Sequence, residues 1–327
     1  MTPDEHSASH SAYGADLQPF AGITSFMRCP ATRALAGVDV AVIGLPFDSG
    51  TSYRSGARFG PRKIRELSLL LWGYNNPLAV RPLDVLRVVD YGDADVIPPS
   101  ILDTMVNVEA EVGAVLAAGV TVLALGGDHS LSLPLLRAHK ARHGRLGVVH
   151  FDSHPDTWQT EFGGRLYSHG TPFRRALEED LIDPARYIQV GLRGPTSGKN
   201  DWQDARDLGV HVITMDEAAT MGVPAVVAAI RAVAAIGPIY VSLDIDATDP
   251  AFAPGTGTPE VGGFTSHQML QLVRGLAGLP LVGFDLVEVS PPYDHGDITA
   301  ILAANLAFEF LSLLARQKMA KMAQAAA

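Results

Sequence analysis

The stretch VVHFDSHPDTW, residues 148–158, joins an apolar run to a cluster of polar side chains. Its apolar start is typical of a strand inside a sheet, and it ends abruptly in Asp152, His154 and Asp156. Alternate residues of an extended chain face the same way, so these three side chains can converge. Two carboxylates and an imidazole brought together there are destabilising unless their charge is compensated. We therefore expect a cation beside this stretch.

Short apolar runs of this kind recur along the chain, and most are continuous rather than alternating, which indicates strands covered on both faces. The runs are VDVAVIGL (38–45), LRVVDYG (86–92), TVLALGG (121–127), LGVVHFD (146–152), YIQVGL (187–192), VHVITM (210–215), PIYVSLDI (238–245) and LVGFDLVE (281–288). Helical stretches lie between several of them, including residues 106–119, 224–237 and 266–278. This alternation predicts an α/β fold of three layers, helix–sheet–helix, with a mostly parallel sheet of about eight strands.

The composition is that of a globular protein with a full core, since 47% of the 327 residues are hydrophobic and 18% are charged. A formal net charge of −10 argues against nucleic-acid binding, which needs a concentrated basic surface. The single cysteine, Cys29, excludes an intrachain disulfide and fits a reducing compartment. No apolar run reaches the roughly 18 residues of a membrane span, and residues 1–13 lack the apolar core of a signal peptide. We therefore expect a cytoplasmic protein that does not bind a membrane.

The chain shows no internal division. It contains no charge run, Ser/Gly linker or repeat that would separate two units. We predict a single domain over residues 1–327, with a loose N-terminal arm at about residues 1–15 and a helical C-terminal tail.

Polar clusters follow two more of the strand runs. The third run is followed by Asp128 and His129, and the seventh by Asp244, Asp246 and Asp249. Because ligands of open parallel sheets bind beyond the carboxyl ends of the strands, these clusters and the one at residues 152–156 should meet at one edge. Each cluster alone is explained as well by a turn or a helix cap, but three on the same edge favour a metal site.

The donor set indicates which metal and which chemistry to expect. Carboxylate and imidazole ligands suit Mn²⁺, with Ni²⁺, Co²⁺ and Zn²⁺ as alternatives. The number of carboxylates suggests two ions bridged by shared oxygens. Such a pair generates a hydroxide from water at neutral pH, so hydrolysis is the expected reaction class.

Five longer motifs carry a resemblance to a known family. They are GTSYRSGARFGPRKIRE (50–66), GGDHS (126–130), FDSHPDTW (151–158), SLDIDATDPAFAPGTGTPEVGG (242–263) and GFDLVEVSPPYD (283–294). In this order, and over nearly the whole chain, the sequence resembles the ureohydrolase family of arginases and agmatinases. It is most similar to the agmatinase-like branch, which includes guanidinobutyrase, guanidinopropionase and proclavaminate amidinohydrolase. The resemblance implies the arginase/deacetylase-like fold.

The resemblance also implies a ligand set and a reaction. One ion would be held by His129, Asp152, Asp156 and Asp244, and the other by Asp152, His154, Asp244 and Asp246. A hydroxide bridging the ions, oriented by Asp156, would attack the guanidinium carbon and release urea and an amine. The enzyme would then be a metal-dependent amidinohydrolase.

Two further residues match the family. His169, in YSHGTPFRRA, corresponds to a loop histidine that is a candidate proton shuttle to the leaving amine. Glu288, at the end of the eighth run, corresponds to the acid that pairs with the substrate guanidinium. Each could instead be a structural residue, a hydrogen-bonded histidine or one half of a salt bridge. His150 and His211 lie inside strand runs, and we expect both to be core residues or hydrogen-bonded structural residues.

The sequence restricts the substrate to a class. The Asn/Ser-rich stretch by which arginases grip an amino acid is missing from QTEFGGRLYSHG, residues 159–170, so arginine is disfavoured. In the variable loop at residues 193–204, Lys199 could meet a carboxylate, Asp201 an amine, and Trp202 an apolar or alkylated group. Agmatine, guanidinobutyrate, guanidinopropionate and an alkylated guanidine or biguanide such as metformin all remain open.

Two alternative functions can be compared with the sequence. A metal-dependent deacetylase would keep one zinc and lack Asp246, and a non-catalytic partner subunit would not need a complete ligand set, His169 and Glu288.

Ser153 and Pro155 stand where the family usually has a small residue and a Thr, Ser or Cys, a difference that affects the choice of substrate more than metal binding. The resemblance implies a homo-oligomer, a trimer or hexamer, in which a paralogous subunit is an option.

Overall fold

The computed structural model describes residues 18–326 and is built around one sheet. The strands are β1 (Val40–Gly44), β2 (Val88–Asp93), β3 (Thr121–Leu125), β4 (Leu146–Phe151), β5 (Ile182–Leu192), β6 (His211–Thr214), β7 (Ile239–Asp244) and β8 (Leu281–Val287). They run in the order β2-β1-β3-β8-β7-β4-β5-β6, and every pairing between them is parallel. The prediction of a parallel sheet of about eight strands is confirmed. The expected N-terminal arm lies outside the described residues.

Helices connect the strands and cover the sheet. They are α1 (Gly60–Ser68), α2 (Pro82–Val85), α3 (Ile101–Ala117), α4 (Ser132–His143), α5 (Pro172–Glu178), α6 (Asp201–Asp207), α7 (Met215–Met221), α8 (Val223–Val233), α9 (Ser266–Arg274) and α10 (Ile298–Ala326). Several begin at side chains that accept a hydrogen bond from the first turn, as Ser100 does at α3 and Thr265 at α9.

Two hydrophobic cores lie on opposite faces of the sheet. Alternate side chains of β1 point to opposite faces: Val40 and Val42 pack in the first core, and Ala41 and Ile43 pack in the second. The first core contains buried residues of α1, α8, α9 and α10, and the second contains those of α3, α4 and α5. The fold is therefore the predicted three-layer α/β arrangement, and the continuous apolar runs are strands buried on both faces.

The longest helix requires a correction to the membrane argument. By length and composition α10 is apolar enough to cross a bilayer, although the sequence showed no uninterrupted run of that length. However, 83% of its apolar window is buried inside the protein, where it packs on the first core. A buried core helix accounts for this composition.

Candidate metal centre

The carboxyl ends of four adjacent central strands, β3, β8, β7 and β4, bring the predicted polar residues together. His129 follows β3, and its Nδ1 atom lies 3.1 Å from Asp152 Oδ2, 3.0 Å from Asp156 Oδ2 and 3.2 Å from Asp244 Oδ2. His129 and Asp152 are fully buried. Four side chains from three separate segments of the chain thus surround one point.

A second group adjoins the first and shares one of its carboxylates. His154 Nδ1 lies 3.1 Å from Asp246 Oδ2 and 3.5 Å from Asp152 Oδ1. Candidate ligand atoms of Asp152, His154 and Asp246 all lie within 4.8 Å of one another, close enough to hold a single ion. Asp152 therefore turns Oδ2 toward His129 and Oδ1 toward His154.

The hydrogen bonds of His129 leave one ring nitrogen free for a cation. Ser242 donates its hydroxyl proton to Asp285 Oδ1 at 2.6 Å, and His129 Nε2 lies 2.9 Å from the same hydroxyl oxygen. A carboxylate can only accept, so Ser242 Oγ must accept from His129, whose Nε2 carries the proton in the neutral ring. The lone pair of Nδ1 then faces three carboxylates, and this buried nitrogen has no hydrogen-bond partner within residues 18–326. The residues present fit a bound metal ion.

The electrostatics show that the cluster requires positive charge. Burial lowers the pKa of His129, but the carboxylates of Asp152, Asp156 and Asp244 outweigh it and raise that pKa well above its ordinary value. Burial, reinforced by the charges of Asp246 and Asp152, raises the pKa of Asp244 well above the ordinary range. Ionised carboxylates this close together in a protein interior need a compensating cation, either a proton or a metal ion.

Glu288 and His169 lie beside this cluster. Glu288 Oε1 accepts from the backbone N–H of His129 at 2.9 Å and lies 3.1 Å from His169 Nδ1, while His169 Nε2 lies 2.9 Å from Ser52 Oγ. Burial lowers the pKa of His169, but the hydrogen bond and charge of Glu288 raise it to about 9. The second oxygen, Glu288 Oε2, is buried and has no hydrogen-bond partner in the described structure. A Cβ at Gly257 would lie 3.4 Å from that oxygen, so the loop at residues 254–263 runs past Glu288.

Two carboxylates of the predicted clusters serve the surrounding loops. Asp128 accepts from Gly50 N at 2.7 Å and from Ser130 N at 3.0 Å, which ties the loop before α1 to the end of β3. Asp249 accepts from the backbone N–H groups of Gly262 and residues 251 and 263. Both therefore stabilise the loops around the cluster.

The three residues predicted to reach the substrate tail lie around the start of α6. Lys199 is exposed, and Trp202 is partly buried with an indole N–H that lacks a hydrogen-bond partner in the described part of the chain. Asp201 Oδ2 accepts from Trp158 Nε1 at 3.0 Å and from the backbone N–H of Ser197 at 3.0 Å. Asp201 is thus already engaged within its loop, and substrate binding by these residues stays a prediction.

The side chains that support the cluster were not among the predicted site residues. His150 is fully buried and lies 2.8 Å from Asp152 Oδ2, so it is both a core and a hydrogen-bonded residue, whereas His211 is exposed and a core position is wrong for it. His150 and Ser242 each stand two residues before a predicted ligand on the same strand. The period-2 rule that grouped Asp152 with His154 could have found both if it had been extended backwards into the strands.

Comparison with known proteins agrees with this geometry. A model of the family described as "Arginase family" matches residues 38–312. The chain is 51% identical over 301 residues to a protein named guanidinopropionase from Pseudomonas aeruginosa, an alignment that covers 92% of this chain and 94% of that one. It is 44% identical to a guanidinobutyrase of the same organism, covering 93% and 97%. The solved structure of proclavaminate amidinohydrolase from Streptomyces clavuligerus superposes with a TM-score of 0.87 at 45% identity, covering 91% of this chain and 99% of that one. The chain belongs to the arginase family.

Proposed function

We propose that the protein is a metal-dependent amidinohydrolase that cleaves a small guanidino compound to urea and an amine. The observation that carries this proposal is the buried Nδ1 atom of His129, which faces three carboxylates and has no hydrogen-bond partner in the described structure. The family and the curated relatives named guanidinopropionase and guanidinobutyrase support the same reaction class.

Two divalent ions would share the cluster. We define the His129 site as His129, Asp152, Asp156 and Asp244, and the His154 site as Asp152, His154, Asp244 and Asp246. Asp152 and Asp244 belong to both. When bound, two such ions lower the pKa of water and so supply a nucleophile for hydrolysis at neutral pH. Carboxylate and imidazole donors favour Mn²⁺, with Ni²⁺ or Co²⁺ as alternatives.

Glu288 and His169 would act on the two ends of the substrate group. The unpaired Glu288 Oε2 is a buried acceptor for the guanidinium N–H groups, and this pairing would neutralise its charge. With a pKa of about 9, His169 is protonated at neutral pH and can give that proton to the departing amine. Asp156, as a carboxylate beside His129, would orient the attacking nucleophile.

Short guanidino acids are the first substrates to test. The relatives named for guanidinopropionate and guanidinobutyrate are 51% and 44% identical to this chain, and a protein named agmatinase from Chromobacterium violaceum is 41% identical. Agmatine and an alkylated biguanide such as metformin are the alternatives. Asp246 beside His154 argues against a one-zinc deacetylase, and the complete cluster argues against a non-catalytic partner subunit.

A urea-release screen tests the proposal. Protein loaded with Mn²⁺, Ni²⁺ or Co²⁺ would be given agmatine, guanidinobutyrate, guanidinopropionate and dimethylbiguanide, and metal analysis should find about two ions per chain. Asp152→Ala should lose both the ions and the urea. The proposal is wrong if loaded protein releases no urea from any of these compounds while Asp152→Ala binds metal like the parent.

The assembly and location follow from the same proposal. We expect a cytoplasmic homo-oligomer, a trimer or a hexamer, in which a paralogous subunit can take part. Light scattering at micromolar concentration checks this, because a monomeric mass would contradict it. We also expect residues 1–327 to act as one catalytic domain.

A further inference from the structure

A row of three buried side chains ends at the metal cluster and has no part in the proposed reaction. His150 lies on β4, and Tyr187 and Gln189 lie on the neighbouring strand β5. The register of the two strands pairs His150 with Gln189, and all three side chains are fully buried. Buried polar groups at such positions require partners, and these side chains bond to one another, although Gln189 Oε1 has no hydrogen-bond partner in the described structure.

When the His150 ring is neutral, the hydrogen bonds of this row run in one direction. Gln189 Nε2 lies 2.5 Å from the carbonyl oxygen of Pro155 and 2.8 Å from the hydroxyl of Tyr187. A carbonyl only accepts, so the amide nitrogen of Gln189 must face it and donates to both atoms. Tyr187 then donates to His150 Nδ1 at 3.0 Å, and His150 donates its Nε2 proton to Asp152 Oδ2 at 2.8 Å.

This direction decides whether His150 itself is a ligand. Candidate ligand atoms of His129, His150 and Asp152 lie within 4.8 Å of one another, so distance alone would admit His150 to a metal site. However, Nε2 carries a proton and Nδ1 accepts one from Tyr187, which leaves no lone pair for an ion. His150 therefore orients a ligand without being one.

Both ends of the row act on carboxylates of the His129 site. Asp152 Oδ2, which His150 contacts, is the oxygen that lies 3.1 Å from His129 Nδ1. The Pro155 carbonyl, which Gln189 holds, belongs to the peptide that leads into Asp156, and Asp156 Oδ2 lies 3.0 Å from the same nitrogen.

The backbone shows why the peptide between Pro155 and Asp156 needs an anchor. Asp156 has φ of 47°, in the left-handed region that ordinary residues adopt only when their surroundings hold them there. The His154 site has a different support, since Ser153 Oγ donates to Asp246 Oδ1 at 2.7 Å.

We propose that His150, Tyr187 and Gln189 are positioning residues for the ion of the His129 site and have little influence on the ion of the His154 site. Hydrogen bonds to metal ligands fix the direction of their lone pairs, and losing such a bond typically costs about 10-fold to 100-fold in metal affinity. The inference rests on the two-ion centre of the proposed function.

The test separates the two sites by removing one histidine at a time. His154→Ala leaves the His129 site, and His129→Ala leaves the His154 site. Tyr187→Phe or Gln189→Met is then added to each, and Mn²⁺ binding is measured by calorimetry. In the His154→Ala background we expect the dissociation constant to rise by about 10-fold to 100-fold. In the His129→Ala background it should change by less than about 3-fold, because the row reaches Asp152 at Oδ2, whereas His154 faces Asp152 Oδ1.

Thr104→Val is the control. It removes a hydroxyl that is also fully buried, and whose partners are the backbone N–H and carbonyl oxygen of Ile97, away from the metal cluster. It should lower the melting temperature and leave the Mn²⁺ affinity of both one-site proteins unchanged within about 3-fold, a change well below the typical loss of ligand support.

Equal weakening of both sites, or no weakening of either in folded variants, would overturn the proposal. Gln189→Met keeps the volume of the side chain, so the test stands even if Tyr187→Phe does not fold. Parent protein that binds two ions and releases urea, but whose variants bind like the parent, refutes this inference alone. Parent protein that binds two ions and releases no urea from the panel refutes the proposed reaction and leaves this inference standing.

Discussion

Glu288 combines a strained backbone, complete burial and a free carboxylate oxygen in one residue. Its φ is 63°, it is 1% exposed, and only one of its two oxygens has a hydrogen-bond partner in the described structure. A left-handed, buried, half-satisfied glutamate is costly to folding and is typical of a functional position. The strain is consistent with a carboxylate held ready for a cationic group.

Glu288→Gln should therefore disable substrate binding and spare the metal. Glutamine keeps the size and one acceptor oxygen but removes the charge, and losing one partner of a buried charged hydrogen bond costs about 2–5 kcal/mol. We expect kcat/KM for the best guanidino substrate to fall by about 100-fold or more on that basis. Metal analysis should still find the parent stoichiometry. A variant with parent kinetics would remove Glu288 from the substrate site.

Cys29 should be chemically silent in the folded protein. It is 1% exposed, and burial, with a smaller contribution from the charge of Asp90, raises the pKa of its thiol to about 12. The reactive thiolate is then nearly absent at pH 8. We expect reaction with a thiol reagent such as dithiobis-nitrobenzoate only after unfolding in guanidinium. Stoichiometric labelling of the native protein within minutes would contradict this packing.

The limits of sequence reasoning also appear at single residues. Asp152 could be paired with His154, and Asp244 with Asp246, because the members of each pair are separated by one residue at the end of an apolar run. The link from Tyr187 to His150 could not, since it depends on which strands are neighbours and in what register. Asp128 was assigned to the polar cluster because it follows a strand run. In the structure it accepts a hydrogen bond from the backbone of Gly50, 78 residues away, and so stabilises a loop.

At the scale of elements, the turn after β3 shows why its glycines are required. A Cβ at Gly127 would collide with the backbone oxygen of Phe47, a contact that only backbone movement could relieve. Gly127 also accepts from the N–H of Glu288, so this turn holds the end of β8. The close approach of three backbone segments here positions both His129 and Glu288.

Gly127→Ala should consequently destabilise the protein, and Gly113→Ala provides the control. Forcing extra atoms into a packed region costs about 1–3 kcal/mol or more. Gly113 lies inside α3 with open space around its missing Cβ, where alanine should add about 0.5–1 kcal/mol through helix propensity. Free energies of unfolding from denaturant titration should therefore change in opposite directions. Equal effects would mean that the turn after β3 tolerates a side chain.

Strand β5 shows which element boundaries the sequence conceals. The apolar pattern predicted residues 187–192, but the strand begins at Ile182. The segment from Asp183 to Arg186 is polar and contains a proline, so it resembles a loop, and the register with β4 shifts there. The buried centre of a strand can be recognised in the sequence as an apolar run. An irregular, partly exposed strand start can be recognised only from its pairing with the neighbouring strand.

For the whole molecule, metal removal should lower thermal stability. The chain carries a buried cluster of carboxylates, and an ion that binds only the folded state stabilises it by about 2.7 kcal/mol at 100 times its dissociation constant. We expect Mn²⁺ to raise the melting temperature of chelator-treated protein by about 3–5 °C, because the unfolding entropy of a chain of this length is large. Asp152→Ala should show a much smaller rise. An identical rise in that variant would locate the stabilising ion elsewhere.

The strand order has a consequence for how the protein folds. β8, the last strand along the chain, lies at the centre of the sheet between β3 and β7. A nascent chain can therefore form the half that contains β1, β2 and β3 and the half that contains β4 to β7, but it cannot join them before residue 287 has been synthesised. His129 belongs to the first half, and the carboxylates that surround it belong to the second. The metal centre is thus completed by the last segment to insert, in a fold of high contact order that should form slowly.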